Sequence, residues 1–221
     1  MSFESKYVAP KGTAPLLLER LRKSFAQDGE YPVNQVHSVY YDTAAGDAFA
    51  EVDNGDFYKT KVRVRWYGSM TDGSRREGPV FVECKSKSGP KRHKIRVKLD
   101  SVRTDLPLHH PQWLSLPQVL LEQGAMIPRG LLQPTIHVSY RRHRFLESTH
   151  DLRIALDSDI RAAAAHPRFA RVHALMRRPA PWLVFEAKGA TRQLPPSLRF
   201  VKALGARRMA FSKYGLWNEL L

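Results

Sequence analysis

The sequence predicts an α+β protein of eight antiparallel strands with helices packed outside them. Two observations predict this: segments with a period of two dominate the chain, and lysine and arginine crowd one face of several of them. A third, the absence of any long low-complexity linker or internal repeat, favours a single domain over residues 1–221.

Strands are expected at the N-terminal SFESKYV and at residues 34–42, 58–67, 79–87, 91–99, 135–145, 151–160 and 182–189. Turn signals separate them at Asp53-Asn54-Gly55, Asp72-Gly73-Ser74 and Gly89-Pro90. Helical spacing marks residues 14–26 behind Thr13, then 117–123, 196–204 and 212–220. The stretch 161–181 reads as a long, partly helical excursion.

The strands carry their charge on one side. Lys59, Lys61, Arg63 and Arg65 share a face opposite Thr60, Val62, Val64 and Trp66. Arg92, Lys94, Arg96 and Lys98 stand opposite Ile95, Val97 and Leu99, and Glu83, Lys85 and Lys87 stand opposite Val80, Val82 and Cys84. Glu186 and Lys188 share a face, and Arg153 is flanked by Leu152 and Ile154. On a single strand this is an ordinary sheet with one wet face. Repeated with almost one sign of charge, it lacks the interspersed carboxylates that relieve repulsion on a solvated surface.

The whole chain repeats that imbalance, with 36 Lys and Arg against 21 Asp and Glu and a formal net charge of +15. Such a surplus calls for an anionic partner: nucleic acid, an anionic membrane or a smaller polyanion. Either an open basic face receives nucleic acid, or the strands close and the cations line a lumen wide enough for one slim ligand. No nucleic-acid reader motif, Walker loop, dinucleotide fingerprint or nucleophile elbow is present, so no specific nucleic acid is expected. The nine histidines lack ligand spacing, and the one cysteine, Cys84, allows no internal disulfide. With no apolar run of membrane-spanning length, a cytoplasmic protein is expected, leaving any membrane-protein partner undefined.

Segments in order along nearly the whole chain resemble one family. They are ESKY at 4–7, SVYYDT at 38–43, KVRVRWYG at 61–68, VECKSK at 82–87, HKIRVKL at 93–99, YRRHRF at 140–145, LRIALDSDI at 152–160, FEAKG at 185–189 and FSKYGL at 211–216. The chain resembles the VTC domain (vacuolar transporter chaperone, the polyphosphate polymerase domain) of the CYTH and triphosphate tunnel metalloenzyme superfamily. The resemblance implies that the eight strands form a closed antiparallel β-barrel, a tunnel that binds triphosphate-type ligands with Mg²⁺ or Mn²⁺. It also implies an enzyme that transfers the terminal phosphate of ATP to inorganic polyphosphate.

By that resemblance Lys6, Lys61, Arg63, Arg65, Lys85, Lys94, Arg96, Lys98, Arg142, Arg153, Lys188 and Lys213 bind phosphate. Among them Arg63, Arg65, Lys85, Arg142, Arg153 and Lys213 are the catalytic candidates, and Glu186, Glu83 and Glu4 the metal candidates. Lys59, Lys87 and Arg144 are left as rim or surface residues. Two departures keep alternatives open. Ser2 stands where many superfamily hydrolases carry a first-strand glutamate, and Ala210 lies three residues before Lys213, where a second basic residue is common in the polymerases. A triphosphatase acting on tripolyphosphate or nucleotide, a non-catalytic polyphosphate-binding module and a basic nucleic-acid-binding protein therefore stand beside the polymerase.

Overall fold

Alternating apolar residues organise the strands as expected. The computed structural model describes residues 3–68, 76–89, 91–165, 179–191, 193–209 and 211–214. Its strands are β1 Phe3–Pro10, β2 Ala26–Gln27, β3 Val33–Asp42, β4 Tyr58–Gly68, β5 Arg76–Ser88, β6 Lys91–Leu99, β7 Gln133–Glu147, β8 Leu152–Ala164, β9 Trp182–Gly189 and β10 Arg207–Arg208. The helices are α1 Ala14–Ser24, α2 Asp47–Asp53, α3 Pro111–Ser115, α4 Gln118–Glu122 and α5 Phe200–Ala203, the last preceded by a 3-10 turn at Pro196–Leu198. None of the helices among the described residues is long and apolar enough to cross a membrane.

Hydrogen-bonded neighbours follow the order β10-β1-β9-β8-β7-β3-β4-β5-β6, with β2 on β7. The pairs β1/β9, β4/β5, β5/β6 and β8/β9 are antiparallel. The expected closed barrel of eight strands is thus replaced by a sheet of ten, and no pairing joins its two ends among the described residues. One end is β10, only two residues long. The other is β6, whose Lys91, Arg92, Lys94, Arg96 and Lys98 are all exposed. An edge strand with that density of like charge repels a further strand.

Other expectations need smaller corrections. Strand β8 runs on to Ala164, so the start of the expected excursion at 161–181 is extended chain, while 166–178 lie outside the described residues. Lys213 and Tyr214 form a turn rather than the start of a helix, and the rest of the expected 212–220 helix lies outside the described residues. The Asp72-Gly73-Ser74 turn and Pro90 are likewise outside them. Helices α2 and α3 had no signal strong enough to separate them from loop.

The chain clusters into two units. Unit 1 comprises residues 1–35, 140–161 and 178–212, and unit 2 residues 36–139, 162–177 and 213–221. In unit 1 the core is Tyr7 and Ala9 of β1, Leu152, Ile154 and Leu156 of β8, and Leu183, Phe185 and Ala187 of β9. Onto these, helix α1 packs Leu17 and Leu21, one turn apart, both fully buried. Alternation then forces Glu4, Lys6, Asp157, Glu186 and Lys188 to the opposite face. In unit 2 the core gathers Val62, Val64, Trp66, Val80, Val82 and Cys84 against Trp113 and Leu120 of α3 and α4. That burial turns the basic side chains of β4 and β5 the other way.

Candidate functional site

Register decides what meets on the basic face of unit 2. Lys61 lies opposite Lys85, and Lys85 opposite Lys94. One row along, Glu83 stands between Arg63 and Arg96, and in the next Phe81 stands between Arg65 and Lys98. Like charges set directly opposite one another destabilise a sheet unless an anion intervenes. Glu83 is the intervening anion for one row only. It is 2% exposed, and its Oε2 accepts from Arg63 Nε at 2.6 Å while its Oε1 lies 2.7 Å from Lys94 Nζ and 3.3 Å from Arg96 Nε. Burial opposes ionisation of Glu83, but Arg63 and Arg65, with Lys94, overcome it and hold the carboxyl well below the usual range. The Arg96 guanidinium lies over the Phe81 ring at 3.5 Å, which fixes its plane.

Arg65, 9% exposed, is the buried member of the group. Its Nε donates to Ser38 Oγ on β3 at 3.0 Å. Next to Ser38 on the same strand face is Tyr40, a buried phenol that accepts a hydrogen bond from Arg63. Burial would raise the Tyr40 pKa; Arg63, Arg65 and Lys213 reverse that and bring it to about 8. Lys213 is buried as well, seated by its neighbour Tyr214. The Tyr214 hydroxyl donates to Asp42 Oδ2 at 2.6 Å, and its ring lies 5.1 Å from that of Tyr40 and 6.0 Å from Lys61 Nζ. Asp42 also accepts the backbone N–H groups of Ala48 at 2.9 Å and Phe49 at 3.0 Å, so one buried carboxylate starts α2 and anchors Tyr214.

Unit 1 holds a second group of different balance. Glu186 lies opposite Lys6 across β1/β9, and Lys188 lies opposite Glu4 on one side and Arg153 on the other. Lys6 Nζ is 3.2 Å from Glu4 Oε1, 3.6 Å from Glu186 Oε1, and donates to the Phe211 carbonyl at 3.3 Å. Arg142 grips Asp157 with Nε and Nη2, at 2.6 and 2.7 Å, and reaches Glu186 Oε2 at 3.0 Å. Burial works against the charge on Arg142, yet Asp157 and Glu186 raise its pKa further, so the guanidinium is permanently charged. Glu4 is lowered from its ordinary value: burial and the nearby Glu186 carboxylate push it up, but Lys6 and Lys188 prevail.

The expected site residues therefore divide. Lys61, Arg63, Arg65, Glu83, Lys85, Lys94, Arg96 and Lys213 lie in unit 2, and Glu4, Lys6, Arg142, Glu186 and Lys188 in unit 1. Lys98 is exposed beside Asp100 at 3.7 Å, and Arg153 is exposed. All three expected metal candidates have both oxygens on cations: Glu83 on Arg63 and Lys94, Glu186 on Lys6 and Arg142, and Glu4 on Lys6 and Lys188. Among the described residues no three acidic, histidine or cysteine side chains form a metal cluster. The residues that sequence reasoning left unassigned are Ser38, Tyr40, Asp42, Asp157 and Tyr214. Ser38, Tyr40 and Asp42 all lie within SVYYDT, at the period of two that places them on one face.

Several solved structures are similar to this chain. A candidate adenylate cyclase from Bacillus halodurans superposes with a TM-score of 0.58 at 13% identity, over 96% of this chain and 94% of that one. A candidate adenylate cyclase from Vibrio parahaemolyticus gives 0.48 at 14% identity over 99% and 97% of the two chains. A conserved hypothetical protein from Pyrococcus furiosus gives 0.47 at 9% identity over the full length of both. Only the first is similar enough to speak to the fold. No curated protein matches the chain significantly in sequence. The family model of the VTC domain matches residues 2–217. The chain belongs to the VTC domain family.

Proposed function

We propose that the protein binds the phosphates of ATP and inorganic polyphosphate and, with Mg²⁺ or Mn²⁺, transfers the terminal phosphoryl group of ATP to polyphosphate. The observation that carries this reading is the basic face of unit 2, where rows of opposed lysine and arginine on β4, β5 and β6 are interrupted by Glu83 and Phe81. Guanidinium groups pair bidentately with phosphate oxygens, and lysines contribute point charges. Arg63, Arg65, Lys85, Lys94 and Arg96 take those oxygens, with Glu83 holding the arginine forks in place before a ligand arrives. Lys61 and Lys213 add charge beside them.

Glu4 and Glu186 are the carboxylates that would hold a hard divalent cation: both contact Lys6, which the ion would displace, while Lys188 and Arg142 hold their other oxygens. Mg²⁺ commonly takes one or two carboxylates and completes its shell with water and phosphate oxygen. When bound, such an ion would supply Lewis-acid polarisation of a phosphate oxygen held beside it. Arg142, clamped by Asp157, keeps Glu186 oriented and its charge fixed. In the transfer, the bond between the γ-phosphorus and the bridging oxygen of ADP breaks. A bond to a terminal oxygen of polyphosphate forms, and ADP leaves. The attacking oxygen is already anionic, so no protein base is required and positioning carries most of the catalysis.

The test is to incubate the protein with ATP and Mn²⁺ and resolve the products on a gel. Long polyphosphate is expected, together with ADP. Arg63→Ala with Arg65→Ala should abolish both binding and synthesis, while Glu186→Gln should spare tripolyphosphate binding but lower turnover ~100-fold or more. Orthophosphate as the sole product would move the reading to a triphosphatase, and binding without turnover to a polyphosphate-binding module. Full activity in Glu186→Gln would remove the metal assignment.

A further inference from the structure

We propose that unit 1 carries a second ligand site, on the sheet face opposite Arg142, that takes a small organic anion with an apolar body. The YRRHRF segment supplies it by alternation. Arg142 turns to Asp157 and Glu186, so Arg141 and His143 emerge on the other face. There they border a cavity of about 640 Å³ with Lys11 of the turn before α1, Leu18 of α1, Arg22 in the last turn of that helix, and Leu156 of β8. That volume lies within the range of small-molecule sites.

The wall is built for an anion. Asp159, at φ 50°, departs from the strand's alternation and lies 3.5 Å from Lys11, so it answers that lysine's charge. The side chains of Arg22 and Arg141 have no ion pair or hydrogen bond among the described residues, which leaves two guanidinium groups over one cavity. Helix α1, eleven residues long, begins here with no acidic residue in its first turn and no side-chain cap. Its first backbone N–H groups add to the positive potential.

His143 gives an independent observation. It is 7% exposed, its ring lines the cavity, and its Nδ1 is buried with no hydrogen-bond partner. That nitrogen is itself closed off from solvent, so a molecule in the cavity would meet the rest of the ring. Burial, helped by Arg22 and Arg141, holds His143 at about 4, so the ring is neutral at pH 7 and adds polarity without charge. Ala14, Pro15, Leu18 and Leu156 supply the apolar remainder. Inorganic polyphosphate has no apolar part to match them. A phosphate- or carboxylate-headed molecule with an aromatic or aliphatic body matches both halves.

Phenyl phosphate is a suitable probe, titrated into the full chain at pH 7 while the histidine ring resonances are followed by NMR. It should shift the His143 signals, and benzoate should move the same signals. Arg22→Ala with Arg141→Ala should weaken phenyl phosphate at least ~10-fold; both side chains are exposed, so the fold should tolerate the change. Inorganic phosphate should bind at least ~10-fold more weakly than phenyl phosphate, because it leaves the apolar wall uncovered. Arg63→Ala with Arg65→Ala should leave phenyl phosphate binding at this site unchanged, which separates it from the basic face of unit 2. Unmoved His143 signals at several millimolar probe, retention of binding in the Arg22/Arg141 variant, or loss in the Arg63/Arg65 variant would overturn the proposal. Equal affinity for inorganic and phenyl phosphate would overturn its apolar half.

Discussion

Single residues in unit 2 show how strongly local charge and burial set protonation. His37 and Trp66 stack at 5.1 Å, and His137 lies against both, 5.4 Å from Trp66, with its Nε2 3.1 Å from His37 Nδ1. Burial first, and His37 second, depress His137 from its ordinary 6.5 to about 3. The folded state thus keeps His137 neutral at pH values where the unfolded chain protonates it. Stability from this group is complete above about pH 6.5 and is lost progressively as pH falls toward 3. The midpoint of thermal unfolding should therefore drop between pH 6.5 and 4, and the drop should be shallower in His137→Phe. An equally steep profile in that variant would place the acid sensitivity elsewhere.

At the scale of elements, Gly189 closes β9 where the start of β8 presses on it. A Cβ there would meet Leu152 Cδ2 at 2.5 Å and the Asp151 carbonyl oxygen at 2.7 Å. The side chain can move but the backbone oxygen cannot do so cheaply, so Gly189→Ala should cost about 1–3 kcal/mol. That corresponds to a melting point lower by on the order of 5 °C, measurable by calorimetry. The strand itself was legible from sequence because its apolar residues alternate; the need for glycine at its end was not, because the clash comes from a residue about forty positions away. The same division holds for the site. Alternation placed Arg63, Arg65 and Glu83 on one face, since that follows from the local pleat. It could not reveal that Asp157 would claim Arg142, or that Asp42 would anchor Tyr214, because those partners are chosen by sheet order and by a segment far along the chain. Closure of the strands followed from the family resemblance rather than from any local signal, and β6 ends the sheet with its edge charges exposed. The short α2 was hidden for a similar reason, since Asp42 caps it from the preceding strand, five residues before the helix begins.

At the scale of the molecule, a formal net charge of +15 means that anions of every kind will relieve some self-repulsion, so stabilisation by anions alone identifies nothing. The discriminating quantity is what remains when screening is held constant. Sodium chloride acts through a Debye length of about 10 Å at 0.1 M and treats all exposed charges alike. A ligand bound to the native state stabilises it by mass action instead, by about 2.7 kcal/mol at a hundred times its dissociation constant. Tripolyphosphate should therefore raise the melting temperature well beyond sodium chloride of equal ionic strength. The excess should vanish in Arg63→Ala with Arg65→Ala, although that variant loses only two of 36 basic residues. Duplex DNA offers the contrasting behaviour: contacts spread over surface lysines and arginines would give affinity that falls steeply with salt and barely responds to the same two substitutions. If tripolyphosphate did no more than matched salt while duplex DNA bound tightly, the rows of lysine and arginine on β4, β5 and β6 would be a nucleic-acid surface, and the phosphate-transfer reading would fall with them.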